Sequence, residues 1–260
     1  MPFAERTLQA ADCQIQYLEA GTGRAVVMLH GAGGLRHDEP VFSELAARYH
    51  LLAPSLPGFD QSTPGSAATI REVADVMAEF IRTSVGQASV IGESFGGAVS
   101  SWLAIRHPEV VERLILAAPG GLNDNQAGAP RLGELSPTEM SVLLYGRPPT
   151  EQPSPAVAEQ RQRNRANAMR LIAGRGFDPD LYEQLSSIRA PTLILWGTAD
   201  RMLQPSQAKV FAERIPGAQR VMLDGAPHVL SAAVPDQFLP PVLGFLETGR
   251  AVAPAVASSS

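Results

Sequence analysis

Short, nearly continuous apolar runs recur along this chain: Ala25–His30, His50–Pro54, Ala88–Gly92, Arg113–Ala117, Thr192–Trp196 and Arg220–Asp224, each bounded by Gly, Pro or a charged residue. Continuous rather than alternating apolarity marks strands buried on both faces, as in a parallel sheet covered by helices. Segments 5–10 and 13–19 alternate instead, and predict an antiparallel pair feeding the sheet. Helical periodicity falls on 40–48, 69–84, 96–106, 206–214 and 235–247. The helix over 96–106 reads as amphipathic, burying Val99, Trp102, Leu103 and Ile105. It stops at His107-Pro108, because proline disfavours the helical conformation in the residue before it. The alternation predicts an α/β fold: a mostly parallel eight-stranded sheet with helices on both faces.

Residues 123–188 break this rhythm. They carry Pro130, Pro137, Pro148, Pro149, Pro153, Pro155 and Pro179, with helix-like pieces near 136–145, 155–173 and 179–187 and no strand-like run. Such an insertion predicts a small helical lid over the carboxyl ends of the strands, where open α/β sheets bind ligands; the plain alternative is a structural excursion. The expected organisation is a core of 1–122 and 189–250, a lid of 123–188, and a small, uncharged tail of 251–260 read as disordered.

Composition adds exclusions. The length of 260 residues suits one large α/β domain, and 45% hydrophobic content suffices for a sizeable core. With 26 acidic and 21 basic residues the net charge is −5, and no basic run stands out. Nucleic acid and anionic membrane are therefore poor partners. The amino-terminal residues lack the basic start and apolar run of a signal peptide, and no stretch reaches the roughly 18 apolar residues of a membrane span. A cytoplasmic protein is expected, as a monomer or a homodimer. The single cysteine, Cys13, excludes an internal disulfide and reads as a half-buried packing residue. There is no dinucleotide fingerprint, no Walker loop and no histidine pair at metal-ligand spacing, so no metal and no cofactor are implied.

The chemistry centres on Gly92-Glu93-Ser94-Phe95-Gly96-Gly97, a G-x-S-x-G sequence that follows an apolar strand and opens a helix. A serine on so sharp a turn needs small neighbours, and its hydroxyl is lifted clear of the sheet beside a helix N-terminus that favours negative charge. A serine nucleophile needs a base. Of the five histidines, His30, His37, His50, His107 and His228, only His228 follows a late strand, in Asp224-Gly225-Ala226-Pro227-His228. It also falls last, in the order serine, acid, histidine. His30 reads as a structural hydrogen-bonding residue. Glu93 reads as a buried structural acid or a group that tunes the site, and Phe95 as a pocket wall.

Over roughly residues 5–248 the chain resembles the α/β-hydrolase family. His30-Gly31-Ala32-Gly33-Gly34 is similar to that family's oxyanion loop, Pro54–Ser62 to its loop after the next strand, and Trp196-Gly-Thr-Ala-Asp200 to its acid loop. The resemblance implies an oxyanion hole from the backbone N–H groups of Ala32 and Phe95. It implies Asp200 as the acid orienting His228, with Asp124 the rival. Gly33, Met140, Leu144, Tyr145 and Val229 are candidates to contact substrate; at helical spacing the lid residues among them serve equally well as the lid's own core. The implied reaction is hydrolysis of a small carboxylic ester, or a related small-molecule acyl substrate, through an acyl-enzyme. Leu116-Ala-Ala-Pro-Gly-Gly-Leu122 is similar to a stretch of the serine C–C bond hydrolases that act on vinylogous diketo acids, although Val229 stands where those enzymes usually carry tryptophan. A slow-turnover ligand receptor on the same fold is a further alternative.

Overall fold

The continuous apolar runs become the centre of the sheet in the computed structural model, which describes residues 3–36, 40–122, 135–175 and 177–252. Asp124, His37 and most of the tail read as disordered lie outside the described residues. Strands β1 (Ala4–Ala10) and β2 (Cys13–Ala20) form an antiparallel pair, and β2 joins the rest antiparallel to β4. Strands β3 (Ala25–Leu29), β4 (His50–Pro54), β5 (Ala88–Glu93), β6 (Val111–Ala117), β7 (Thr192–Gly197) and β8 (Gln219–Leu223) run parallel. The order across the eight-stranded sheet is β1-β2-β4-β3-β5-β6-β7-β8. From β3 the chain steps to one side for β4 and then to the other for β5. The carboxyl ends of β3 and β5 flank this switch point, where open α/β sheets leave a crevice.

Helices cover both faces. They are α1 (Pro40–Ala46), α2 (Ile70–Ser84) and α3 (Phe95–Arg106), then α4 (Pro137–Tyr145), α5 (Pro155–Leu171) and α6 (Leu181–Gln184), and last α7 (Gln207–Arg214), α8 (Leu230–Ala233) and α9 (Pro235–Thr248). Because side chains alternate along a strand, Val27, Leu29, Val90, Leu116 and Trp196 pack under α2, α3 and α7. Val26, Met28, Ile91, Ile115 and Leu195 pack under α1 and α9. Thr69 starts α2 with a capping box, its side chain accepting from Glu72 N–H while the Glu72 carboxylate accepts from Thr69 N–H.

The structure corrects the reading of α3. It is buried on nearly every face, from Phe95 to Ala104, rather than amphipathic, and Ile105 is only partly covered. The helix is wedged between sheet and α2, and its small residues permit that. A Cβ on Gly96 would stand 2.2 Å from the Leu29 carbonyl oxygen, and one on Gly92 would stand 2.2 Å from Ser100 Oγ. The short α8, just after His228, carries too few residues to show a periodicity.

Between β6 and β7 the described part of the insertion carries α4, α5 and α6, joined by non-helical segments. Both α4 and α5 begin with serine N-caps, Ser136 and Ser154, followed by proline in the first turn. No residue of α4 is fully buried, whereas α5 buries Asn164, Ala168 and Leu171. A parallel bridge joins Gly121 to Phe177 at the insertion's far end. Among the described residues no helix is long and apolar enough to cross a membrane.

Candidate active site

Ser94 lies between β5 and α3 at φ 55° and ψ −115°, a conformation that side-chain-bearing residues rarely adopt and that costs about 1–3 kcal/mol. The surrounding backbone holds it there. Ser94 N–H donates to the Ala117 carbonyl (2.9 Å), and the Ser94 carbonyl accepts from the amides of Gly97, Ala98 and Gly120. The hydroxyl therefore stands off the sheet edge in a fixed direction.

His228 meets it from the loop after β8. Ser94 Oγ–H donates to His228 Nε2 at 2.8 Å, and His228 Nδ1–H donates to Asp200 Oδ2 at 2.8 Å. Both partner side chains are essentially shut off from solvent, at 1% for His228 and 0% for Asp200. The remaining carboxylate oxygen, Asp200 Oδ1, accepts from the backbone N–H groups of Met202 (2.8 Å) and Leu203 (2.9 Å). Two backbone donors and one imidazole donor thus hold the buried carboxylate, as a buried charge requires.

On the other side of the hydroxyl is the loop after β3. Gly31 is so close that a Cβ there would lie 3.4 Å from Ser94 Cβ and 3.9 Å from Oγ. Gly34 N–H donates to the Gly31 carbonyl at 3.1 Å, closing a turn with Ala32 and Gly33 at its centre. Phe95 opens α3, where first-turn amides have no partner within the helix. Its ring is buried against Phe59, centroids 5.6 Å apart.

His30 uses both ring nitrogens on backbone: Nδ1–H donates to the Gly31 carbonyl (2.7 Å) and Nε2 accepts from Leu56 N–H (3.0 Å). Burial holds its pKa below the ordinary imidazole value, so the ring is neutral. His50 and His107 pair with Glu19 and Asp75, away from the carboxyl edge. Glu93 is buried directly before Ser94 and accepts from Ser231 N–H (3.0 Å) and Ser231 Oγ–H (2.8 Å). Burial pushes its carboxyl upward, opposed by these donors and by the nearby imidazole of His228. Glu93 therefore ties the strand that leads into Ser94 to the helix that follows His228.

The proposed pocket residues are partly gathered. The Leu144 carbonyl accepts from Val229 N–H at 2.9 Å, which seats the end of α4 on the loop carrying His228. Tyr145 accepts through its hydroxyl from Arg36 (2.7 Å), whose guanidinium also lies 5.1 Å from the ring centroid. Met140 is half-buried on α4, and Gly33 is exposed, with nothing within 4 Å of where a Cβ would stand. Asp60, Asn164 and Ser231 take no role from the sequence, because Asp60 meets Asn164 and Glu93 meets Ser231 across more than a hundred positions. Among the described residues no group of three or more His, Cys, Asp or Glu side chains is placed to hold a metal ion.

The model of the alpha/beta hydrolase family matches residues 26–240. Lipase 3 of Moraxella sp. (strain TA144) is 28% identical over 80% of this chain and 72% of its own. The 2-hydroxy-6-oxo-6-phenylhexa-2,4-dienoate hydrolase of Comamonas testosteroni is 30% identical over 74% of this chain and 77% of its own. A crystal structure of a bacterial membrane phospholipase A superposes with a TM-score of 0.80 at 25% identity, covering 94% of this chain and 86% of that one.

Proposed function

The chain belongs to the α/β-hydrolase family, and on that premise we propose that it is a serine hydrolase cleaving a small carboxylic ester through an acyl-enzyme. The observation that carries the reading is the buried hydrogen-bond relay from Ser94 Oγ to His228 to Asp200, with both links at 2.8 Å. In this reading Ser94 Oγ attacks the ester carbonyl as His228 Nε2 takes its proton. Asp200 keeps Nδ1 protonated, so that Nε2 is free to act as base, and stabilises the imidazolium without itself taking the proton. The oxyanion settles between the N–H groups of Ala32 and Phe95. His228 then protonates the departing alcohol, and water repeats the sequence on the acyl-enzyme. Helices α4 and α5 act as the lid over this edge.

One observation favours a second reading. On α5, Arg165 is half-buried with no carboxylate partner among the described residues, and burial together with nearby Arg161 disfavours its charge. A substrate carboxylate would relieve that cost, as would suit a C–C bond hydrolase acting on vinylogous diketo acids.

The test is an organophosphonate label and a substrate panel. The label is expected to add mass at Ser94, and Ser94→Ala to abolish turnover of p-nitrophenyl esters. Labelling elsewhere, or turnover that survives Ser94→Ala, overturns the proposal. A vinylogous diketo acid run beside the esters discriminates the two substrate classes. If it is the better substrate and Arg165→Ala raises its KM alone, the second reading replaces the first.

A further inference from the structure

Asn164 is a buried polar side chain on the insertion helix α5. It is 1% exposed on α5, beside buried Ala168 and Leu171. Its amide uses its full bonding capacity. Nδ2 donates to the Gly33 carbonyl (3.0 Å) and to Asp60 Oδ1 (2.7 Å). Oδ1 accepts from Asp60 N–H (3.0 Å) and from Gln160 Nε2 (3.0 Å). Asp60 completes the assembly, its Oδ2 accepting from Leu35 N–H (2.9 Å) and Ser55 Oγ–H (2.9 Å).

These bonds converge on the turn beside Ser94 and the residue that follows it. Asn164 grips the Gly33 carbonyl, and Asp60 grips the Leu35 amide. Between them Gly34 has φ +94°, and a Cβ there would fall 2.1 Å from Asn164 Nδ2 and 2.5 Å from Asp60 Oδ1. The clamp and a glycine at 34 therefore require one another. Asp60 itself sits at φ 48°, uncommon for a residue with a side chain. Strain of this kind persists where surrounding bonds over-determine it, and it concentrates at functional sites.

We infer that Asn164 is a positioning residue for the loop carrying the Ala32 amide, so that the insertion helix holds one half of the oxyanion hole in its donor geometry. This rests on the serine-hydrolase reading above. An unbraced loop still admits substrate but presents a misaimed donor when the carbonyl oxygen becomes negative. Removing the brace therefore acts on the transition state more than on the ground state.

The experiment compares Asn164→Ala with wild type on a p-nitrophenyl ester and on two ketones. A trifluoromethyl ketone forms a tetrahedral adduct: Ser94 Oγ bonds to the ketone carbon, the hydroxyl proton passes to His228 Nε2, and the ketone oxygen becomes the oxyanion. The matching methyl ketone binds largely without adding. In the variant kcat is expected to fall about 10- to 100-fold, with KM held within about 3-fold. Affinity for the trifluoromethyl ketone should fall by the same factor as kcat/KM, and that for the methyl ketone should stay. Unchanged kcat, or equal losses for both ketones, overturns the clamp. If Asn164→Ala does not fold, Asn164→Ser and Asp60→Asn are read by the same criteria. Wild-type protein that takes no label at Ser94 sinks the serine-hydrolase reading; labelled wild type with an indifferent Asn164 variant sinks only the clamp.

Discussion

At Asp200 a single atom separates two tautomers of the histidine. Its Oδ1 is committed to the amides of Met202 and Leu203, and only Oδ2 faces His228. An asparagine there would keep its oxygen on the two amides and turn its NH2 toward Nδ1, forcing the imidazole into the tautomer that cannot act as base. Asp200→Asn is expected to lower kcat roughly 10,000-fold with the fold intact, and Asp124→Asn to leave it unchanged; the reverse ranking in steady-state kinetics would reassign the acid. His30 supports a prediction about stability. Nε2 can accept from Leu56 N–H only while the ring is neutral, and burial keeps the folded pKa below the ordinary value of about 6.5. Below that pH the unfolded chain takes up the proton first, so the contribution of His30 is present above pH ~6.5 and is lost as pH falls toward the folded value. Urea unfolding at pH 7.5 and 5.5 should show wild type losing more stability than His30→Gln, whose pH slope is shallower; equal slopes would remove His30 from the account.

Among the elements, legibility followed locality. Central strands announce themselves because both faces are buried, so apolar residues follow one another without alternation; β3, β5 and β7 lie within a residue or two of the runs that predicted them. The turn at Ser94 is readable for a similar reason, since the glycines that permit it are its near neighbours in sequence. The burial of α3 on nearly every face is hidden because Gly96, Gly97, Ser100 and Ser101 look neutral in a periodicity, yet the two glycines are small because backbone and Pro119 press against them. This gives a testable ranking. Gly96→Ala pushes a methyl into the Leu29 carbonyl, whereas Gly33→Ala meets nothing within 4 Å. Gly96→Ala is expected to cost about 1–3 kcal/mol or more, and Gly33→Ala much less. Equal melting temperatures would mean that α3 can shift away from the sheet. Asp60–Asn164 and Glu93–Ser231 were invisible because each joins residues more than a hundred positions apart, and no local pattern encodes a partner at that distance.

For the molecule as a whole, the question is whether the insertion is a separate unit on a finished core. Its attachments say that it is not. Asn167 Nδ2 donates to the Pro57 carbonyl and Arg170 to that of Ala67, while Asn164 holds Asp60. At the far end Arg71 of α2 binds Asp178, which is nearly buried, and also Asp180, with its guanidinium 4.4 Å from the Trp102 ring centroid on α3. These ties fall on the second half of α5 and beyond. By contrast α4 buries no residue and meets the core through the Leu144–Val229 bond, the Arg36–Tyr145 pair at its last residue and contacts with α8. Regions with few buried contacts open locally, and those tied into the core open only with it. Denaturant-dependent amide exchange should therefore split the insertion. Amides of α5 from Asn164 to Leu171 should converge on the global unfolding free energy reported by β5, while those of α4 exchange faster through openings that leave the sheet intact. If both helices open together at low denaturant, the insertion is one independent unit, and a brace from α5 to the turn beside Ser94 would be too weak to hold that turn through a catalytic cycle.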